Sequence, residues 1–168
     1  MGGGKLRLSF KAKRWLLIVH SVFAAILLGN MVAFLIFSIT ALAADHANLA
    51  QACYQAMHLL SRTSVRASTI GATLTGVLLS VWSNWGLFRY YWILAKESLT
   101  LITLFLNLWA MQTWTTEALQ LSPAEGAEAF IVHVELWTGI LVQLLSLVLM
   151  YILSIMKPWG KRMKPTYK

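Results

Sequence analysis

WLLIVHSVFAAILLGNMVAFLIFSITAL, residues 15–42, decides the fold, because 28 residues pass without one Asp, Glu, Lys or Arg. At 1.5 Å per residue such a helix is about 42 Å long, more than the roughly 30 Å hydrocarbon core of a bilayer. IVHVELWTGILVQLLSLVLMYILSIM, residues 131–156, repeats the pattern with Glu135 as its single charge. Two further apolar stretches, 67–88 and 91–114, bring the number of expected spans to four. Backbone groups in hydrocarbon must bond within a helix or a closed barrel, and none of these stretches alternates as barrel strands do. The reading is therefore an all-α protein, a four-helix transmembrane bundle.

Composition agrees. The chain is 58% hydrophobic and only 12% charged, against about 25% charged in a typical soluble domain, and its mean hydropathy is +0.66. A net charge of +8 would suggest nucleic acid in a soluble domain, so the placement of the charge matters more than its sign. Lys5, Arg7, Lys11, Lys13 and Arg14 precede the first span, Arg89 joins the second to the third, and Lys157, Lys161, Arg162, Lys164 and Lys168 follow the fourth. Asp45, Glu117, Glu125 and Glu128 fall in the other connections. The bias of Lys and Arg toward cytoplasmic loops puts both termini and the Arg89 loop in the cytoplasm of a multi-pass cell (plasma) membrane protein. The basic tails then face anionic lipid headgroups rather than nucleic acid.

The expected organisation is a basic segment over 1–14, a membrane domain over 15–160 and a basic tail over 161–168. Residues 45–66 form an outer amphipathic segment that continues into the second span, since no Gly or Pro interrupts the chain from Ala47 to Ile70. Ser122-Pro123 and Gly126 break the second outer connection, and Lys157-Pro158-Trp159-Gly160 closes the fourth helix. Tryptophans and tyrosines gather at the span boundaries as an aromatic belt. A secretory signal cleaved after Ala41-Leu42-Ala43 is the competing reading of the first span, but its apolar run is about twice the 7 to 15 residues of a signal core. The lone Cys53 permits no intramolecular disulfide.

Helices in lipid meet through small residues and interhelical hydrogen bonds. Ser21, Ala25, Gly29 and Ala33 on the first helix, and Ser68, Ala72, Gly76 and Ser80 on the second, form ridges at four-residue spacing, which predicts close backbone approach. On the third helix Lys96, Thr100, Thr103, Asn107 and Trp114 fall within a sector of about 60° at 100° per residue. Lys96 then either faces the bundle or snorkels to the inner surface. Glu135, Gly139, Gln143 and Ser146 mark the inward face of the fourth helix.

The histidines sort by depth. His20 lies about 9 Å into the first helix from the inner side, level with Lys96, whereas His58 and His133 are near the outer side. Two imidazoles on facing helices can hold a haem iron from both sides, and His58, on a face shared with Arg62, is the first ligand candidate. His133 points away from its helix's polar stripe and serves either as the second ligand or as an interfacial residue. His20 is either a hydrogen-bonded neutral imidazole or a haem or metal ligand, and with Lys96 it could handle protons or bind a propionate. No phosphate loop, nucleophile elbow, dinucleotide fingerprint or short-spaced metal cluster occurs.

Several segments resemble an uncharacterised bacterial family of small predicted four-helix integral membrane proteins: Leu74-Thr75-Gly76-Val77-Leu78-Leu79, Trp85-Gly86-Leu87-Phe88, Tyr91-Trp92-Ile93-Leu94-Ala95-Lys96 and Leu153-Ser154-Ile155-Met156-Lys157-Pro158-Trp159-Gly160. Trp15-Leu16-Leu17-Ile18-Val19-His20, followed by Gly29, also looks like the first helix of membrane-bound haem-pathway oxidases. That resemblance implies importance for a first-helix His and a third-helix Lys, here His20 and Lys96. The functional expectation is a protein that binds haem b through His20, His58 or His133, with Lys96 and Arg62 as charged partners, in electron transfer or haem handling. A non-haem transporter or interaction subunit with a polar intramembrane pathway is the alternative, and a homo-oligomer or redox partner is compatible with either.

Overall fold

The computed structural model describes residues 9–82, 90–121 and 127–156. The Arg89 loop, the break at Pro123 and the residues 1–8 and 157–168 of the basic tails lie outside them. Among the described residues there are six α-helices: α1 (Phe10–Leu42), α2 (Ala47–Leu60), α3 (Arg66–Trp82), α4 (Tyr91–Phe105), α5 (Met111–Leu121) and α6 (Ala127–Met156). A π-helical turn, Ser61–Val65, joins α2 to α3, and a second, Leu106–Ala110, joins α4 to α5. The result is four rods, each long and apolar enough to cross a membrane.

The boundaries have local causes. The first rod begins at Phe10, five residues before the expected Trp15, because the Ser9 hydroxyl caps it by accepting from the Ala12 amide at 3.2 Å. The second rod is helical from Ala47 to Trp82, so the amphipathic segment continues into the span as expected, with the π turn inserted without ending it, and residues 83–88 of the expected span lie outside the described residues. The third runs on to Leu121, beyond the expected 114, and the fourth begins at Ala127 rather than 131. Hydroxyls along the rods satisfy themselves by donating to the carbonyl four residues back, as Thr75 does to Gly71 (2.6 Å), Thr100 to Lys96 (2.8 Å) and Thr115 to Met111 (2.7 Å).

Each rod runs antiparallel to the one before it. Asn30 Nδ2 donates to Ser64 Oγ at 2.9 Å between the first two, Asn107 Nδ2 to Thr69 Oγ1 at 2.9 Å between the second and third, and Lys96 Nζ to Ser154 Oγ at 2.8 Å between the third and fourth. The starts of α1 and α4 and the ends of α3 and α6 thus share one end of the bundle, here the terminal end. The apolar core lies in the opposite half, where Met31, Phe34, Met57, Met111, Leu136 and Ile140 are almost completely buried. In the terminal half much of the buried surface is polar, including Thr69, Thr75, Thr103 and Ser146.

The ridge expected on the first helix is corrected. Ser21, Ala25 and Gly29 are exposed, and nothing lies within 4 Å of a Cβ built on Gly29. Large side chains instead carry α1 onto α3, with the Phe23 ring pressed flat against Gly71, where a Cβ would come within 2.7 Å of it. On the second rod the ridge does meet α1, through the Ala72 carbonyl beside His20 and through Gly76, which lies under the His20 ring.

Overpacking a closed contact costs about 1–3 kcal/mol. Gly71→Val should therefore lower the unfolding temperature in detergent by several degrees, whereas Gly29→Ala should leave it unchanged. Equal shifts in the two variants would refute the Phe23–Gly71 packing.

Candidate functional site

Polar side chains gather at three levels. At the terminal level His20 projects from α1 onto α3, where its Nδ1 lies 3.1 Å from the Ala72 carbonyl and 3.0 Å from Thr75 Oγ1. A carbonyl can only accept, and the Thr75 hydroxyl proton is already directed to Gly71, so Nδ1 carries the hydrogen. In the neutral ring this leaves Nε2 with its lone pair, the tautomer a ligating histidine adopts when a carbonyl accepts from its other nitrogen. Gly76 leaves room for the ring edge, since a Cβ there would sit 3.3 Å from His20 Cε1. Lys96, on α4, is half-buried, donates to Ser154 on α6 and stands 6.0 Å from the centre of the Trp92 ring. Lys96 lies close enough to His20 for the two to interact electrostatically, although they share no hydrogen bond.

At mid-length each π turn packs against the helix that follows the other, Ser61–Val65 on α5 and Leu106–Ala110 on α3. Arg66 Nη2 donates to the Leu108 carbonyl, inside the second turn, at 3.3 Å and to Gln112 Oε1. Asn107, in the same turn, gives its amide hydrogen to Thr69, yet its Oδ1 is buried without a partner. Gln143 on α6 has no exposed surface, and neither its Oε1 nor its Nε2 is hydrogen-bonded.

At the far level His58 Nδ1 lies 3.2 Å from Thr116 Oγ1, whose own proton goes to the Gln112 carbonyl. His133 meets the buried Tyr54 through a hydrogen bond between Nε2 and the phenol, with the rings edge to face at 5.7 Å. His58 thus bonds toward α5 through Nδ1, and His133 toward α2 through Nε2. His58 and His20 are at opposite levels of the bundle. Arg62 is exposed rather than turned inward beside His58. Among the described residues no three His, Cys, Asp or Glu side chains converge as a metal cage would require.

His20 and Lys96 thus lie toward the terminal end, while at the far level His58 bonds to Thr116, His133 bonds to Tyr54 and Arg62 is exposed. Sequence reasoning assigned no role to Arg66, Tyr54 or Thr75. Arg66 was legible only in the unbroken stretch from Ala47 to Ile70, which puts it at the centre of a long rod rather than at the edge of a short one. No family model matches the chain, and no curated protein or solved structure matches it.

Interhelical hydrogen bonds in membrane proteins average about 0.6 kcal/mol. A double-mutant cycle of Thr69→Val and Asn107→Ala, read by unfolding in detergent, should give a coupling of about 0.5–1 kcal/mol. Additive effects would break the link between the second and third rods.

Proposed function

We propose that this chain is a multi-pass protein of the cell membrane, with both termini cytoplasmic, that binds haem or a related porphyrin at its terminal level for electron transfer or haem handling. The observation that carries this reading is His20: its Nδ1 hydrogen is held by a backbone carbonyl, so Nε2 is presented as a ligand nitrogen, with the cation of Lys96 nearby. Haem is a flat apolar plate with two carboxylates on one edge. It suits a site whose ligand is about two turns inside the bilayer and whose cation can reach a propionate near the headgroups.

The donor set fits a single-histidine haem b at His20, with Lys96 on a propionate. It does not fit one strung between His58 and His133, because Tyr54 engages Nε2 of His133. The bound haem would supply redox or ligand-binding chemistry at its iron, and Thr75 and Ala72 would fix the imbalance-free orientation of the His20 ring. The likeness of the first helix to haem-pathway oxidases points to the same pair of residues. Net positive charge at the termini, with Lys11, Lys13 and Arg14 exposed at the start of α1, supports the orientation.

Protein expressed with ample haem should carry a Soret band that is lost or strongly reduced in His20→Ala, while Lys96→Gln weakens haem retention and His133→Ala leaves the band intact. A colourless protein, or a band indifferent to His20→Ala, refutes the assignment. For topology, green fluorescent protein fused at either terminus should fluoresce, and alkaline phosphatase inserted after Asp45 should be active. The reverse pattern inverts the protein.

A further inference from the structure

Asn107 and Gln143 hold three buried polar atoms with no partner: Asn107 Oδ1, Gln143 Oε1 and Gln143 Nε2. Their relative position follows from the contacts on either side of them. Thr100 Oγ1 lies 3.4 Å from Met150 Sδ, and Met111 Sδ lies 3.2 Å from the Cβ direction of Gly139. Seven residues forward from Thr100 is Asn107, and seven back from Met150 is Gln143, so in this antiparallel register the two amides face each other. Each offers what the other lacks, an acceptor against a donor, yet they do not bond directly. A lone unpaired polar group in an apolar interior is destabilising, and at the depth of a bilayer centre such groups persist where they line a cavity or meet water.

The seam leading to them is asymmetric. From the terminal end it runs past Lys96 and Ser154, then Thr100 against Met150, then the buried Thr103 and Ser146, with Leu147 beside them. Beyond the amides it closes. Gly139 admits the Trp114 ring and Met111, which fill the gap against α6, and Leu136 and Ile140 seal the far half.

We propose that the seam between the third and fourth rods is a water-accessible half-channel, open at the Lys96 end and closed at mid-length, and that Asn107 and Gln143 form its terminal water-binding site. A bridging water accepts from Gln143 Nε2 and donates to Asn107 Oδ1. Lys96 at the mouth favours anions over cations among charged solutes that approach. This site lies about one to two turns deeper than His20, which meets Ala72 and Thr75 where Asn107 meets Thr69 on the same rod, and it stands whether or not haem binds.

The test reads accessibility in the full chain in membrane vesicles. In a Cys53→Ser background, Thr103→Cys and Ser146→Cys should react with an impermeant anionic methanethiosulfonate applied from the terminal side, at least about tenfold faster than Ile140→Cys. The cationic reagent should be slower, and Lys96→Gln should narrow that difference. Protection of Thr103→Cys and Ser146→Cys equal to that of Ile140→Cys overturns the half-channel. The unmodified protein gives an independent reading: hydroxyl radicals generated from water should oxidise Met150 and spare Met31, Met57 and Met111. Equal sparing of Met150 overturns the proposal even if the cysteine variants fold poorly.

Discussion

Arg66 donates to the carbonyl of Leu108, and that contact constrains the centre of the molecule. A guanidinium halfway along an apolar rod must find acceptors inside the protein, because lipid supplies none. An ideal α-helix offers few, since its carbonyls are committed along the axis. The π turn at Leu106–Ala110 loosens that ladder, and its Leu108 carbonyl takes one hydrogen of Arg66 while Gln112, one turn on, takes another. The matching turn at Ser61–Val65 lies immediately before Arg66 on the partner rod. Irregularity in each rod is thus located where the other has polar groups to satisfy.

This junction also divides the bundle into two unlike halves. On the far side, methionines, Phe34, Leu136 and Ile140 pack into the apolar core. On the terminal side the helices meet through hydroxyls, amides, His20 and Lys96. In a bilayer, apolar contacts between helices gain little over contacts with lipid, so the far half depends on close fit and the terminal half on hydrogen bonds. The polar half holds His20 and Lys96, and it is the end at which Lys11, Lys13 and Arg14 are exposed at the start of α1.

Much of the architecture was legible because hydropathy and the 100° helical step are strong signals. The stripe through Lys96, Thr100, Thr103, Asn107 and Trp114 faces neighbouring rods as the arithmetic requires, and Gly139, Gln143 and Ser146 are buried as expected. The continuity of the second rod through Arg62 and Arg66 was legible in the stretch from Ala47 to Ile70, which holds no Gly or Pro, and the helix does run through them. The small-residue ridge on the first helix misled, because small side chains permit close approach without requiring it, and Phe23 against Gly71 provided a better fit. The π turns leave no mark in a residue pattern at all, since they arise from how two rods accommodate one another.

The histidines illustrate what depth alone omits. Counting residues placed His58 and His133 together at one level, and it could not reveal that rotation turns one toward Thr116 and the other toward Tyr54. Counting also paired His20 with Lys96, and here the rotation is favourable, with the imidazole held by Ala72 and Thr75 on one side and the ammonium anchored by Ser154 on the other. The difference lies in the neighbours. A ring whose Nδ1 is tied to a backbone carbonyl keeps Nε2 for a guest, whereas a ring whose Nε2 is tied to a phenol has its usual ligating nitrogen engaged. Ligand readiness in this bundle is therefore set less by which residues carry nitrogen than by which nitrogen the adjacent rod has already claimed.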